Sequence, residues 1–387
     1  MKIIVAPDSF KGSISSTEAA AAIHRGLLAG SSNLDITSIP MADGGEGTVE
    51  ALTMILEGRL IKKEVTDPLG RRVNASYGWV ESSKTAIVET AAASGLPLLT
   101  KEELHPLSAT TYGTGELLED ALDRGAETII LGLGGSATVD AGTGCFQALG
   151  ATFHNAKGER LDMNGRELGN VASINTNQLH NRVQNVHWII ASDVTNPLLG
   201  EEGAVSVFGP QKGVQQEQQE AFESNMTHYA DVLEAHLGQK LRDKEGSGAA
   251  GGFGFTLYGL LPHSTVQSGF QLIAQWSHLH ERIKGADLVL TGEGKLDEQS
   301  LYGKVPVGIA RIAKTYNVPC VAFAGTIEGD VSGSKQEGLL TVLPIVDAPM
   351  SLEEAMERGD MLLQRAATRF MEIRKLDTNN TLGEVTP

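Results

Sequence analysis

Residues 1–30, MKIIVAPDSFKGSISSTEAAAAIHRGLLAG, carry a complete pattern of strand, loop and helix. Residues 3–6 form a short apolar run, which is typical of a strand buried on both faces. Ser15 and Glu18 have the spacing of a capping box ahead of a helical stretch at 19–29, and Gly30 predicts its end. The stretch therefore predicts a strand that leads through a polar loop into a capped helix.

Apolar runs of the same kind recur along the chain, and most are followed by a glycine or a polar residue. They cover residues 86–88, 128–133, 188–191, 288–290, 321–324 and 341–345. Helical patterns lie between them, such as the one beginning near Pro306 and the one after the capping-box pair Ser351 and Glu354. This alternation predicts an α/β fold with largely parallel sheets.

The alternation is most regular at the two ends of the chain, whereas the middle is richer in glycine. We therefore predict two α/β domains. One is Rossmann-like, with a parallel sheet formed by both chain ends, residues 1–65 and 285–387. The other is an inserted α/β domain of residues 66–284.

The composition limits the partners and the compartment. A formal net charge of −17 repels nucleic acid and anionic membranes. No stretch approaches the roughly 20 apolar residues of a membrane span, and the first residues lack the apolar core of a signal peptide. Cys145 and Cys320 form no CxxC pair, which suits a reducing compartment. We expect a cytoplasmic protein that acts on small molecules.

Two charged loops follow predicted strands near the chain ends. In PDSFKGS at residues 7–13, Asp8, Ser9 and Lys11 precede a helix start, where anions commonly bind. The second loop, TGEGKLDEQSLYGK at residues 291–304, contains Glu293, Lys295, Asp297 and Lys304. Phosphoryl transfer needs such a set, because lysines and amides bind phosphates and carboxylates hold Mg²⁺ or orient the attacking hydroxyl.

Glycine-rich loops and a strand-end acid supply further candidates. GLGGSAT at residues 132–138 offers backbone amides at an anion site, together with Gly134, Gly135, Ser136 and Thr138. ADGGEGT at residues 42–48 places Asp43 and Glu46 on a glycine turn that is suited to Mg²⁺ or to substrate hydroxyls. Asp193 follows the run at 188–191, and Lys212 lies in FGPQKG at residues 208–213.

Several other functions are disfavoured by the motifs. Lys304 is followed by Val305, so the loop is not a Walker A motif. Gly132, Gly134 and Ala137 match a relaxed dinucleotide fingerprint, but the acid expected about 20 residues later at a strand end has no good candidate. The histidines show no HExxH zinc motif.

Eight segments in this order and spacing resemble the bacterial type I glycerate kinases. The similarity runs from the first strand to about residue 320, and more loosely to residue 375. The segments are PDSFKGSISS, ADGGEGT, ATTYGTGELL, LGLGGSATVDAGTG, ASDVTNPLLGEEGA, FGPQKG, GSGAAGGFGF and LTGEGKLDEQSLYGKVPVGIA.

The resemblance implies two α/β domains, ATP as the donor and D-glycerate as the acceptor. Family members are expected to phosphorylate the 2-hydroxyl, which gives 2-phosphoglycerate. Lys295 stands where an arginine is frequent in the family, which keeps the charge but loses a bidentate fork.

Residue roles follow from chemistry rather than from the resemblance. We expect Asp193 or Asp297 to orient and deprotonate the attacking hydroxyl. The other of the two would hold Mg²⁺, directly or through water, with Asp43 or Glu293, and Glu46 is a further metal candidate. The remaining candidates would bind substrate or phosphate: Asp8, Ser9, Lys11, Gly134, Gly135, Ser136, Thr138, Lys212, Lys295 and Lys304. The alternatives are a 3-phosphoglycerate product, a kinase of another small hydroxy acid, an NAD-dependent dehydrogenase and a non-catalytic binding protein.

Overall fold

The protein, as a computed structural model, is described for residues 1–31, 33–42, 44–45, 47–261, 263–297, 305–329 and 332–380. It divides into two compact units. The terminal unit comprises Met1–Asp43 and Phe270–Pro387, and the inserted unit comprises Gly44–Gly269.

The strands and helices of the described residues are numbered here in chain order. The strands are β1 (Lys2–Val5), β2 (Asp35–Ser38), β3 (Arg59–Thr66), β4 (Arg72–Val80), β5 (Thr85–Glu89), β6 (Thr128–Gly132), β7 (Thr152–His154), β8 (Ser173–Asn175), β9 (His187–Ala191), β10 (Thr265–Gln267), β11 (Leu288–Leu296), β12 (Cys320–Ile327) and β13 (Leu339–Pro344). The helices are α1 (Ser16–Gly30), α2 (Thr48–Ile55), α3 (Ala91–Ser94), α4 (Tyr112–Asp123), α5 (Thr143–Ala148), α6 (Ala204–Phe208), α7 (Gln219–Leu237), α8 (Ala249–Leu260), α9 (Gly269–Trp276), α10 (Leu279–Lys284), α11 (Val305–Thr315), α12 (Leu352–Glu357) and α13 (Gly359–Asn380).

The terminal unit is built on a parallel sheet of order β13-β12-β11-β1-β2. Its interior strand β1, between β11 and β2, contributes Ile3, Ile4 and Val5, which are fully buried. Helix α1 begins with the capping box predicted at Ser15 and Glu18. The sheet is formed by both ends of the chain, so the predicted parallel α/β architecture is confirmed here.

The inserted unit contains a sheet of order β10-β9-β6-β5-β4-β3. Strands β5, β6, β9 and β10 are parallel, and β3 and β4 are antiparallel to their neighbours. Strand β3 pairs with β4 along its whole length, from Arg59 to Thr66. The boundary predicted after residue 65 would cut this strand from its sheet, and in the structure the inserted unit already begins at Gly44. It ends at Gly269 rather than at the predicted residue 284.

No helix among the described residues has both the length and the apolar character that a bilayer crossing requires.

Helices α1 and α13 pack closely because α1 presents glycine to its partner. A Cβ atom on Gly26 would lie 2.3 Å from the carbonyl oxygen of Gln364, and one on Gly30 would lie 2.5 Å from Met371 Cβ. Both glycines are buried, and Gly26 lies in the helix interior, where glycine is otherwise unfavourable by about 1 kcal/mol relative to alanine. The close approach of the two helix backbones therefore requires them.

Gly26→Ala tests this contact in the terminal unit. Helix propensity alone would stabilise the protein by about 1 kcal/mol, but overpacking against a backbone oxygen costs roughly 1–3 kcal/mol. Since the Gln364 carbonyl belongs to a helix and cannot turn aside, we expect a net loss of about 1–2 kcal/mol in the free energy of unfolding, measured with urea. The control is Ala21→Gly on the exposed face of α1, which isolates the propensity effect. A Gly26→Ala variant that is more stable than the wild type would refute the packing argument.

Candidate functional site

The main candidate site of the terminal unit lies where strands β1 and β11 meet. The chain continues from β1 to β2 on one side, whereas β11, β12 and β13 follow one another on the other side. Open α/β sheets commonly bind ligands at such a reversal, outside the carboxyl ends of the strands. Asp8 follows β1, and its backbone N–H donates to the Gly292 carbonyl of β11 at 2.8 Å. Glu293 is the next residue of β11 after Gly292.

The two carboxylates line one cavity of about 690 Å³. The side chains of Asp8 and Glu293 are largely buried, with 5% and 7% of each residue exposed. The predicted binding residues Ser9 and Lys11 line the same cavity. With Lys295, which also lines the cavity, the structure brings together five of the predicted residues, although the sequence places Glu293 and Lys295 more than 280 positions after the other three.

The loop that carries Lys11 is held in a tight turn. Phe10 and Ile14 form a β-bridge, and Gly12 adopts a left-handed conformation with φ of 78° between them. The Ser13 hydroxyl donates to the Met356 carbonyl at 2.5 Å, which attaches the loop to helix α12. This turn fixes the backbone that presents Lys11 to the cavity.

Lys295 is engaged by two acids at the cavity wall. Its ammonium group forms an ion pair with Glu328 and lies 3.5 Å from a carboxylate oxygen of Asp297. The hydrogen bond to Glu328 is the main reason that the pKa of Lys295 is raised. Glu328 follows β12 and was missed by the sequence analysis, because no charged motif surrounds it. Asp297, one of the two predicted bases, is mostly buried, with 18% of its side chain exposed.

Three predicted residues, Asp43, Glu46 and Lys304, lie outside the described residues. Within the described ranges, no group of three or more His, Cys, Asp or Glu side chains is arranged to hold a metal ion. Asp8 and Glu293 are carboxylates in one cavity, and Mg²⁺ is commonly bound by one or two carboxylates together with substrate phosphates and water. The residues present therefore fit a magnesium ion that arrives with a phosphate ligand.

In the inserted unit, the glycine loop after β6 packs directly against the glycines of the ADGGEGT motif. A Cβ atom on Gly134 would lie 2.5 Å from Gly45 Cα, and one on Gly132 would lie 3.0 Å from the Gly44 carbonyl oxygen. A Cβ on Gly44 would itself lie 3.4 Å from the Ala191 carbonyl, at the end of β9. Three predicted motifs thus converge at one edge of the inserted sheet.

Lys212 lies beneath this loop rather than on its surface. Its ammonium group donates to the Ser136 hydroxyl at 2.5 Å and to the Thr138 carbonyl at 2.9 Å. Lys212 is only 2% exposed, and this burial lowers its pKa to about 7. Thr138 is fully buried, so its hydroxyl does not face solvent. Among the described contacts, Lys212 acts as a support that fixes the shape of the loop.

Asp140 completes the buried network and was not singled out as a site residue. It is fully buried, and it accepts hydrogen bonds from the Thr111 N–H at 2.8 Å and the Thr111 hydroxyl at 2.7 Å. The N–H groups of Gly142 and Gly144 also donate to it. Burial raises the pKa of Asp140, although these hydrogen bonds act to lower it. The motifs ATTYGTG and LGLGGSATVDAGTG are therefore joined through this carboxylate.

Asp193, the other predicted base, is an exposed residue after β9 in the inserted unit. Asp297 belongs to the terminal unit. The two predicted bases are therefore carried by different units.

The low pKa of Lys212 predicts a pH-dependent stability that is absent from Lys212→Met. The unfolded chain keeps this lysine protonated up to about pH 10.4, whereas the folded protein releases the proton near pH 7. Because the unfolded state binds more protons in this window, the contribution of Lys212 to stability rises with pH. We expect the free energy of unfolding of the wild type to gain about 2 kcal/mol relative to Lys212→Met between pH 7 and pH 9. A constant difference, measured by urea unfolding across this range, would show that Lys212 titrates normally.

Comparison with known proteins places the chain among enzymes. The Glycerate kinase family matches residues 3–375. A glycerate kinase of Haemophilus influenzae is 44% identical over 373 residues, covering 96% of this chain and 98% of that protein. The glycerate 2-kinase of Escherichia coli is 42% identical over 355 residues, covering 92% and 93%.

A crystal structure described as glycerate kinase 2 from Salmonella typhimurium LT2 has the same fold. It superposes with a TM-score of 0.86 at 41% sequence identity, covering 98% of this chain and 99% of that chain. The resemblance inferred from eight sequence segments is therefore confirmed. The chain belongs to the glycerate kinase family.

Proposed function

We propose that this kinase transfers the γ-phosphate of ATP to the 2-hydroxyl of D-glycerate, giving ADP and 2-phosphoglycerate, and that it requires Mg²⁺. The proposal rests mainly on the cavity at the carboxyl ends of β1 and β11, where Asp8 and Glu293 lie together with Lys11. The glycerate kinase family match gives this cavity its expected chemistry. The name of the Escherichia coli relative, glycerate 2-kinase, supports the choice of the 2-hydroxyl.

The charge of the cavity supports the requirement for a divalent cation. Its described lining contains three acids, Asp8, Glu293 and Glu328, and two lysines, Lys11 and Lys295. A triphosphate without a cation would meet repulsion from the acids at short range, where salt does not screen it. Mg²⁺ would neutralise phosphate charge. Asp8 and Glu293 would hold it, with Asp43 as a further candidate in the terminal unit, and Lys11, Lys295 and Lys304 would pair with phosphate oxygens.

The acceptor needs a group that takes the hydroxyl proton. Asp297 and Asp193 are the two candidates, and each has a supporting feature. Asp297 follows β11, and its carboxylate lies 3.5 Å from the ammonium group of Lys295, which lines the cavity. Asp193 is exposed at the carboxyl end of β9, where a substrate can reach it. Gly134, Gly135 and Ser136 would position an anionic group, either a phosphate or the glycerate carboxylate, on the loop supported by Lys212.

We also propose a cytoplasmic location. Both cysteines, Cys145 and Cys320, are buried free thiols. Such thiols suit a reducing compartment.

Product analysis tests the proposed reaction directly. Purified protein is incubated with D-glycerate, ATP and Mg²⁺, and ³¹P NMR follows the products. We expect 2-phosphoglycerate to accumulate in step with ADP, and the reaction to stop when EDTA removes the metal. A 3-phosphoglycerate signal would correct the position of transfer. Intact ATP would lead to a screen of other hydroxy acids, and failure with all of them would favour a non-catalytic binding protein.

The variants Asp193→Asn and Asp297→Asn distinguish the two candidate bases. The residue that accepts the proton should lose roughly 10²–10⁴ in kcat when its carboxylate becomes an amide, while ATP binding is retained. The other variant should lose much less. Steady-state kinetics with calorimetric ATP titration measures both quantities. Near-normal kcat in both variants would remove both residues from the mechanism without affecting the family assignment.

A further inference from the structure

The terminal-unit cavity extends well beyond its charged end. Its lining follows the carboxyl ends of four neighbouring strands in the order β1, β11, β12 and β13. Adjacent strands lie about 4.8 Å apart, so this row of strand ends spans about 14 Å. A three-carbon acid such as glycerate would occupy only a small part of that length.

The two ends of the row differ in chemistry. Asp8, Lys11 and Glu293 line the end at β1 and β11, whereas Ile345 and Val346 follow β13 at the other end. The Ile345 N–H donates to the Ala324 carbonyl of β12 at 3.0 Å, which holds this segment against the sheet. With Lys295 on β11 and Glu328 after β12, the charged lining extends to β12, and the strand ends become apolar at β13.

The segment before helix α12 and the helix itself carry the apolar wall from the β13 end back to the Lys11 loop, where the Ser13 hydroxyl donates to the Met356 carbonyl. Met350, Leu352, Ala355 and Met356 all line the cavity. Leu352 is 72% exposed, so this part of the lining offers apolar surface to a ligand. The wall thus has apolar surface that a flat, weakly polar ring system would cover.

Backbone forms the floor between the two ends. A Cβ on Gly325 of β12 would lie 2.5 Å from the Gly294 carbonyl, and one on Gly294 would lie 3.2 Å from the Lys11 N–H nitrogen. Glycine at both positions lets the β1, β11 and β12 segments approach closely and keeps side chains out of the middle of the cavity. An elongated ligand can therefore lie along the row.

From this arrangement we infer that the apolar wall at residues 345–356 is the subsite for the adenosine part of the donor nucleotide. The phosphates then extend along the strand ends toward Lys11, Asp8 and Glu293. A polar triphosphate joined to a flat base matches a cavity that is charged at one end and apolar at the other, and 690 Å³ lies within the range of pockets that enclose ligands of this size. The inference rests on the proposed use of ATP, and it places the nucleoside within the terminal unit.

The variant Ala355→Phe fills the apolar end without altering a charge. The test measures binding at equilibrium, by calorimetry with Mg²⁺ present, of two ligands: ATP and inorganic triphosphate, which lacks the nucleoside. We expect Ala355→Phe to weaken ATP binding at least tenfold and to change triphosphate binding less than twofold. Lys11→Ala should weaken both ligands. Glu353→Phe adds the same ring to the exposed side of α12, away from the cavity lining, and should leave both unchanged.

The outcomes separate this inference from the proposed reaction. Unchanged ATP binding in Ala355→Phe, with a normal unfolding transition, would overturn the assignment of the subsite. Equal weakening of ATP and triphosphate would overturn it as well, because the wall would then act on the phosphates. Binding is measured without glycerate, so a failure to phosphorylate glycerate would refute the proposed reaction and leave the nucleotide result interpretable.

Discussion

Parallel pairing of β1 with β11 is the constraint on which the terminal unit depends. It places Ile3 beside Leu288 and Val5 beside Leu290, so that segments far apart in the chain share one buried sheet. The entropy of closing so long a loop grows only slowly with its length, and the buried central strands offset it. The same pairing places Asp8 beside Gly292 and thereby creates the charged end of the cavity. The inserted unit lies in the chain between β2 and β11, the two strands that pair with β1 on either side.

In the inserted unit, close contacts between backbone segments hold the glycine loop in place. Besides the contact of Gly134 with Gly45, a Cβ on Gly251 would lie 2.1 Å from the Thr138 carbonyl, and one on Gly142 would lie 2.0 Å from the ring of Phe253. Gly251 also has a φ of 69°, a conformation that favours glycine. The GSGAAGGFGF segment is therefore a close-packed crossing of backbone segments. Its contacts fix the glycine loop from the side, as Lys212 does from beneath.

The sequence predicted the buried strands well because burial on both faces leaves a continuous apolar run. Residues 128–133 and 188–191 match β6 and β9 to within about one residue at each end. Strands β3 and β4 were missed because β3 carries alternating exposed polar residues and lies at the sheet edge. Without these two strands, the predicted domain boundary fell later in the chain than Gly44, where the inserted unit begins. Among the site residues, the loop around Asp8 was predictable from its position after a strand. Glu328 and the wall at Met350 and Met356 were not, because only the tertiary fold brings them to the cavity.

Lys11 and Lys212 show why residue type alone does not assign a role. Both lie in short glycine-containing polar motifs, and both are cations that could meet a phosphate. Lys11 is exposed and lines a cavity, whereas Lys212 is buried with its pKa near 7 and bonds to the loop above it. An amine with a pKa near 7 loses its proton at little cost in free energy, and its neutral form can be buried without a counterion. Lys212 can therefore donate to Ser136 and to the Thr138 carbonyl in that form. The polar side chains of the loop at residues 132–138 are therefore buried in the protein interior. Asp193, which follows the neighbouring strand β9, is exposed. Among the described residues, five charged side chains of the terminal unit line one cavity: Asp8, Lys11, Glu293, Lys295 and Glu328.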